Sequence, residues 1–186
     1  MVNNAPSVYD APSVYKTAGG GGSNNYDIGQ ALEPLVMPDG RTWATKNLIL
    51  GFYSPNAAPS NGQYTQLLLY GLAQRQSAVE YIHNNKASIC PGWDVPTRAE
   101  IKALFNSVGN TYAGLNAAGF NVQNGLLYIN NAWTTTGDRY TMIWSRTLQS
   151  GSLYYRGYMS QNGPIDADNV SYGTDLIYIR LIKDLE

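Results

Sequence analysis

The sequence is poor in cysteine, histidine and charge, and each shortage excludes a class of protein. Its 186 residues include one cysteine and one histidine, which excludes an intrachain disulfide and a multi-cysteine metal site. Charged residues make up 13% of the chain and the formal net charge is −1, so we expect no nucleic-acid partner. No run approaches the roughly 20 apolar residues of a transmembrane helix, so we also expect no membrane span.

The N-terminus lacks the basic and apolar regions of a signal peptide. Residues 1–25 instead contain APSVY twice, and a glycine-rich run follows at Gly19–Ser23. This composition predicts a flexible tail, native or engineered, and it also fits a docking peptide. In the docking interpretation the side chains that bind a partner are Val8, Tyr9, Val14 and Tyr15. Residues 26–186 are predicted to form one ligand-binding domain.

Two stretches in the first half of this domain have recognisable secondary structure. VMPDGRTWATKNLIL, at residues 36–50, has a Pro-Asp-Gly turn and alternates around Trp43, which predicts a strand or hairpin. Residues 65–84 favour a helix, because Leu72, Val79 and Ile82 recur at near-helical spacing.

CPGWDVPTRAEI, at residues 90–101, predicts the start of a further helix. Thr97 and Glu100 have the spacing of a capping box, in which each side chain bonds a free backbone N–H of the first turn. The apolar residues that follow share one helical face, and Gly109 ends the helix. These apolar residues are Ile101, Leu104, Phe105 and Val108.

After residue 119 the sequence favours strands. The runs GLLYI, YTMIW, SLYYRGYM and DLIYIRLI are separated by Asn, Gly and Asp turns. Alternation in the last run predicts a strand over Leu176–Ile182 that is buried on at least one face. Helices followed by strands place the chain in the α+β class.

Five segments, called the family segments below, resemble one known family. They are DGRTWATKNL (39–48), CPGWDVPTRAEIKAL (90–104), AGFN (118–121), IWSRT (143–147) and IYIRLIKD (177–184). In this order they resemble the FISUMP, or major paralogous, domain of gut and rumen bacteria and their phages. The resemblance implies a C-type-lectin-like fold: two helices packed on a small twisted antiparallel sheet, with long loops. It also implies a ligand-binding surface, which in some members is diversified by a retroelement at the C-terminal part.

Two departures from the family limit what the resemblance implies. Leu181 stands where the family has a cysteine, so Cys90 has no disulfide partner. The motifs of calcium-bridged sugar recognition are absent, and no cofactor is expected. Calcium stays possible at Asp166 and Asp168, whose carboxylates alternate along the chain; the alternative is a solvated turn.

The single cysteine and histidine favour structural roles. Cys90 is predicted to be a small buried hydrophobe, and His83 to cap carbonyls near a helix end. The alternative is a thiol–imidazole pair for catalysis. Among the tryptophans, Trp133 lies in a polar stretch and is predicted to be exposed, whereas the three in the family segments are predicted to pack in the core.

The segment 146–172 is dense in Tyr, Ser, Gly and Asn, which is the composition of a binding surface. Strand alternation puts Tyr154, Arg156 and Tyr158 on one face, which we expect to be displayed. The opposite face, with Leu153, Tyr155 and Met159, should pack. The predicted ligand-binding residues are Trp133, Arg146, Leu148, Ser150, Ser152, Tyr154, Arg156, Tyr158, Ser160, Asn162, Asn169 and Tyr172.

Together these features predict a non-enzymatic receptor-binding protein. We expect a phage tail-associated attachment protein, located in the virion, that binds a bacterial cell-surface protein or glycan. Its tail would join other virion proteins, and a homo-oligomer is expected, with a trimer as the candidate. The alternatives are a secreted or lipid-anchored surface adhesin and, on the fold resemblance, a formylglycine-generating-like enzyme.

Overall fold

The fold was described from a computed structural model that covers residues 33–48, 76–122, 126–129, 132–135 and 140–185. The predicted tail at 1–25 lies outside these described residues, as does the first part of the helix predicted at 65–84. The described chain mixes helices with antiparallel sheets, so it belongs to the α+β class, as the sequence predicted.

The first and last strands meet in a four-stranded antiparallel sheet, called the terminal sheet below. Its order is β1 (Pro34–Val36), β2 (Thr42–Ala44), β9 (Ile182–Lys183) and β3 (Trp93–Asp94). The turn between β1 and β2 closes through the Met37 amide, which donates to the Arg41 carbonyl at 2.8 Å. The hairpin predicted around the Pro-Asp-Gly turn is therefore confirmed.

Four helices lie in the described residues, where the family resemblance implied two. They are α1 (Gln76–Asn84), α2 (Lys86–Ile89), α3 (Arg98–Ser107) and α4 (Tyr112–Ala117). The expected number is wrong because α2 and α4 are short turns of helix, of 4 and 6 residues. The two longer helices pack on strands of the following sheet, α1 against its first strand and α3 across all three.

Helix α3 begins as the sequence predicted. The Thr97 hydroxyl accepts from the Glu100 amide, and the Glu100 carboxylate accepts from the Thr97 amide at 2.7 Å. The capping box is thus confirmed, and Ile101, Leu104 and Phe105 are buried on one face. Gly109, just past the helix, has a φ of 72°, a conformation that glycine adopts without strain.

The second half forms a two-stranded and a three-stranded antiparallel sheet. The first pairs β4 (Leu126–Ile129) with β5 (Ala132–Thr135). The second has the order β6 (Tyr140–Ser150), β7 (Leu153–Ser160) and β8 (Asp166–Tyr172). The strands predicted after residue 119 are therefore confirmed where the structure describes them.

The family segments contact one another around the terminal sheet. The Arg41 guanidinium donates to the Glu100 carboxylate at 3.0 Å and to the Lys183 carbonyl at 2.8 Å. The Trp144 amide donates to the Tyr178 carbonyl at 2.8 Å. Segments that are far apart in the sequence thus form one packed unit, which explains why they carry the resemblance together.

Arg180 joins three parts of this unit from inside the core. Its side chain is 1% exposed, and its guanidinium donates to Asn47 Oδ1 at 2.9 Å and to the Phe120 carbonyl at 2.7 Å. The guanidinium also lies 4.5 Å from the centre of the Phe120 ring. Burial lowers the pKa of Arg180 to about 9, so the side chain stays protonated at neutral pH and keeps its donors.

The chain around Arg180 is more deeply buried than alternation predicted. Every residue from Leu176 to Ile182 is buried, whereas the sequence predicted burial of at least one face. Cys90 is 0% exposed and its thiol contacts the Trp93 carbonyl at 3.6 Å. The prediction of a small buried hydrophobe is confirmed for Cys90, and Trp43, Trp93 and Trp144 are core residues.

Candidate ligand-binding pocket

A pocket of about 440 Å³ lies between the start of α1 and one end of the three-stranded sheet. Its walls come from the first turns of α1, the turn between β6 and β7, and the end of β8. The lining residues are Gln76, Ser77, Glu80, Gly151, Ser152, Tyr154, Tyr172, Gly173 and Thr174. The volume falls within the roughly 300–1,000 Å³ of small-molecule sites.

Glycines and backbone hydrogen bonds hold the three walls together. The Gly173 amide donates to the Ser152 carbonyl at 2.9 Å, and the Gln76 amide N–H donates to the Gly173 carbonyl at 3.1 Å. A Cβ at Gly173 would lie 3.3 Å from the Tyr154 ring. A larger residue at Gly173 would therefore push the ring out of its place.

Tyr154 connects the sheet to α1. Its hydroxyl donates to Glu80 Oε1 at 2.9 Å, and its ring meets the Trp144 ring edge-on at 6.5 Å. The hydrogen bond to Glu80 raises the pKa of Tyr154, and burial and the Glu80 charge act in the same direction. Tyr154 is therefore a neutral donor held in place on both sides.

Gln76 contributes an unsatisfied amide to the pocket wall. Its side chain is 2% exposed, and within the described part of the chain neither Nε2 nor Oε1 has a hydrogen-bond partner. A buried amide without partners costs roughly 1–3 kcal/mol in proteins. The wall thus keeps both a donor and an acceptor that a bound group can satisfy.

The rim of the pocket carries exposed apolar surface. Tyr172 lines the pocket and is 55% exposed, and Leu148, on the neighbouring strand β6, is 51% exposed. Large apolar side chains that stay exposed next to a pocket are typical of binding surfaces.

The structure brings some of the predicted binding residues to this pocket. Ser152, Tyr154 and Tyr172 line it, and Leu148 and Ser150 lie at the same end of the sheet. Tyr172 pairs with Leu153 across β7 and β8, which sets it beside the turn that contains Ser152. The predicted segment therefore contributes two of the three walls.

Two other predicted residues are not displayed as expected. Tyr154, Arg156 and Tyr158 share a face of β7, as alternation predicted, but this face is covered by aromatic residues of the same sheet and by α1. The Tyr158 ring lies 5.7 Å from that of Tyr140, and Arg156 donates to Ser171 and to Met142 Sδ. The expectation of a displayed face is wrong. Burial lowers the pKa of Arg156.

The face expected to pack does so incompletely. Met159 is 1% exposed, but Leu153 and Tyr155 are half-buried. The Arg98 guanidinium of α3 lies 4.5 Å from the centre of the Tyr155 ring. Both faces of β7 are thus partly covered, α3 on one side and α1 with the aromatic residues on the other.

The remaining predicted residues lie away from the pocket. Arg146 donates to the Val95 carbonyl at 3.0 Å, next to β3. Ser160 and Asn162 stand at the opposite end of the sheet, where β7 turns into β8. Asn169 donates to Asp166. Trp133 belongs to β5, and its side chain lies outside the described residues, as do the docking residues Val8, Tyr9, Val14 and Tyr15.

Asp166 and Asp168 do not fit a calcium ion. Asp168 accepts from Arg98 and from Lys102, the latter at 2.9 Å, and these cations lower its pKa. Asp166 accepts from the Asp168 amide at 2.8 Å and from Asn169. The carboxylates are thus occupied by this chain's own donors. Across the described ranges no group of three or more His, Cys, Asp or Glu could hold a metal ion.

Cys90 and His83 do not form the activated pair that thiol catalysis needs. Burial raises the pKa of Cys90 to about 12, with the charges of Asp94 and Asp184 adding to it. His83 Nδ1 lies 2.9 Å from the Asp94 carboxylate, so the prediction that it caps helix carbonyls is wrong for this nitrogen. A neutral thiol is a poor nucleophile.

Sequence reasoning missed the wall that α1 contributes. Gln76, Ser77 and Glu80 are about 70 residues from the tyrosine-rich segment, and nothing in their local pattern marks a site. The available signal was the helical spacing of Val79 and Ile82, which assigns Glu80 to the polar side of α1.

Comparisons with known proteins identify no relative. The sequence matches no protein-family model and no curated protein, and the fold matches no solved structure. None of the helices in the described residues has the length and apolarity that crossing a membrane requires.

Proposed function

We propose that this chain is a non-enzymatic ligand-binding domain of the C-type-lectin-like class, with the pocket as its binding site. The observation that carries the proposal is the unsatisfied amide of Gln76 in a wall that also holds Glu80 and Tyr154. A pocket with convergent polar groups and an aromatic rim is the usual form of a small-ligand site.

The composition of the lining supports binding rather than catalysis. Serine, glycine and tyrosine predominate, as they do in the contact surfaces of antibodies, and tyrosine gives contact area at a low entropic cost. The described part of the pocket contains neither a nucleophile–base pair nor a pair of carboxylates, which are the groups that most hydrolytic mechanisms need.

The C-type-lectin-like class is supported by the arrangement of the chain ends and of the family segments. β2 and β9 pair with Trp43 opposite Ile182, so the first hairpin and the last strand share one sheet. Within the same resemblance, the ligand is proposed to be a bacterial cell-surface group, and the protein to act in host attachment from a virion.

Binding to intact bacteria tests this proposal. The fluorescently labelled full chain is mixed with a panel of gut and rumen strains and analysed by flow cytometry. We expect saturable binding to at least one strain, and Tyr172→Ala to weaken it by tenfold or more. Tyr81→Ala is the matched control, because Tyr81 is a 49% exposed tyrosine on α1 outside the pocket lining.

Two results would contradict the proposal. One is the absence of binding across the whole panel. The other is equal loss of binding in Tyr172→Ala and Tyr81→Ala, since this would separate adhesion from the pocket.

A further inference from the structure

The charge of the pocket restricts its ligand. Among the described residues that line it, Glu80 is the one with a formal charge. A carboxylate next to the ligand repels a phosphate, a sulfate or another carboxylate, and nothing in this lining compensates. A neutral or cationic ligand is favoured.

The hydrogen-bonding groups of the pocket separate these two possibilities. Gln76 offers both a donor and an acceptor without partners, and the Glu80 carboxylate offers acceptors beyond the oxygen that binds Tyr154. An ammonium group only donates, so it would leave the Gln76 N–H groups unsatisfied. A hydroxyl both donates and accepts, and two neighbouring hydroxyls can therefore satisfy the amide and the carboxylate together.

The rim adds an apolar surface to this polar wall. Tyr172 is 55% exposed at the mouth of the pocket. A tyrosine ring provides a flat apolar face with a polar tip, which matches a molecule that has a C–H face and a hydroxylated edge. Sugar rings have this combination.

From these features we infer that the pocket takes a neutral saccharide unit, with its C–H face on Tyr172 and its hydroxyls on Gln76 and Glu80. The recognition uses side chains directly and needs no bound metal. The inference rests on the proposed function and names the ligand chemistry of the same site.

A carbohydrate array tests the inference. The labelled full chain is applied to spots of neutral, acidic and amino-sugar oligosaccharides, and the dissociation constants of neutral hits are measured by titration calorimetry. We expect hits among the neutral spots. Gln76→Leu, which keeps the size of the side chain but removes the amide, is expected to weaken binding roughly tenfold. Tyr81→Ala should leave it unchanged.

Glu80→Gln gives a second and different readout. It keeps the shape and acceptor oxygen of the side chain but removes the negative charge. We expect weaker binding of neutral sugars and the appearance of binding to acidic sugars that the unmodified chain rejects. A merely structural role for Glu80 would lower all binding equally.

Several outcomes would overturn the inference. They are hits confined to acidic or amino sugars, neutral hits that Gln76→Leu leaves unchanged, and an array without hits. If intact bacteria still bind in a Tyr172-dependent way when the array is blank, the saccharide inference is wrong and the proposed function stands. If neither bacteria nor sugars bind, both are wrong.

Discussion

The terminal sheet and the pocket end of the three-stranded sheet differ in how they treat buried polar groups. Around the terminal sheet, Arg180 and Asp94 are buried with several partners each. In contrast, the buried side-chain atoms that lack a partner in the described chain are on Gln76, Thr141 and Arg156, which belong to α1 or the three-stranded sheet. One region uses its hydrogen bonds to specify the fold, and the other keeps unused capacity.

The largest effect should come from removing the centre of the satisfied region. Arg180→Met would leave the Phe120 carbonyl and Asn47 without their donor inside the core. Each buried group left unsatisfied costs about 1–3 kcal/mol, so we expect the free energy of unfolding to fall by about 3 kcal/mol in urea titrations. Arg146→Met is the control, since Arg146 is partly exposed. Equal losses in the two variants would show that the Arg180 contacts do not stabilise the fold.

Asp94 should give the next largest effect, and one that depends on pH. Burial opposes its ionisation, but hydrogen bonds from His83, Lys86 and the Val95 amide outweigh it, so its pKa lies below the usual value. A lowered folded pKa stabilises the fold above the unfolded pKa of about 3.9, and this stability is lost as the pH falls through the folded value. We expect Asp94→Asn to cost about 2 kcal/mol at pH 7 and less at pH 3.

Asp168→Asn is the matched control for Asp94→Asn. Its carboxylate also has a lowered pKa, because of hydrogen bonds from Lys102 and Arg98, but its side chain is 42% exposed. Exposed ion pairs contribute about 0–1 kcal/mol. A cost at Asp94 that is no larger than that at Asp168, or that does not shrink in acid, would contradict the proposed role of the buried network.

The smallest effect should have the opposite sign. Gln76→Leu replaces a buried amide without partners by an apolar side chain of similar size, and burying an unsatisfied amide is unfavourable. We expect the free energy of unfolding to rise by up to about 1 kcal/mol, measured as a higher melting temperature. Gln76→Ala, which also removes packing, should not stabilise. Destabilisation by Gln76→Leu would show that the amide is satisfied in solution.

The same contrast explains which features the sequence could predict. The capping box at Thr97, the hairpin at the Pro-Asp-Gly turn and the burial of Cys90 depend on neighbouring residues, so local patterns were sufficient. Alternation in β7 gave the faces correctly. It could not tell that the face with Arg156 is covered, because the cover comes from α1 and from aromatic residues of β6.

The pocket itself depends on contacts between distant segments. Ser152, Tyr154 and Tyr172 were predicted from composition, but their partner Glu80 lies 74 residues before Tyr154. Arg180 shows the same limit: its alternation with Tyr178 and Ile182 indicated a strand, but not that carbonyls from a distant turn at Phe120 would bind its guanidinium. Tertiary packing decides such contacts, and a single sequence does not encode them locally.

The pairing of β1, β2 and β9 has a mechanical consequence. β1 and β9 each run antiparallel to the strand between them, so they point in the same direction. The described chain enters β1 at Pro34, opposite Ala44, and leaves β9 at Lys183, beyond the Trp43–Ile182 pair. Tension between these two points pulls the outer strands in opposite directions along their axes. It loads the interstrand hydrogen bonds in shear, all at once, rather than peeling them apart one after another.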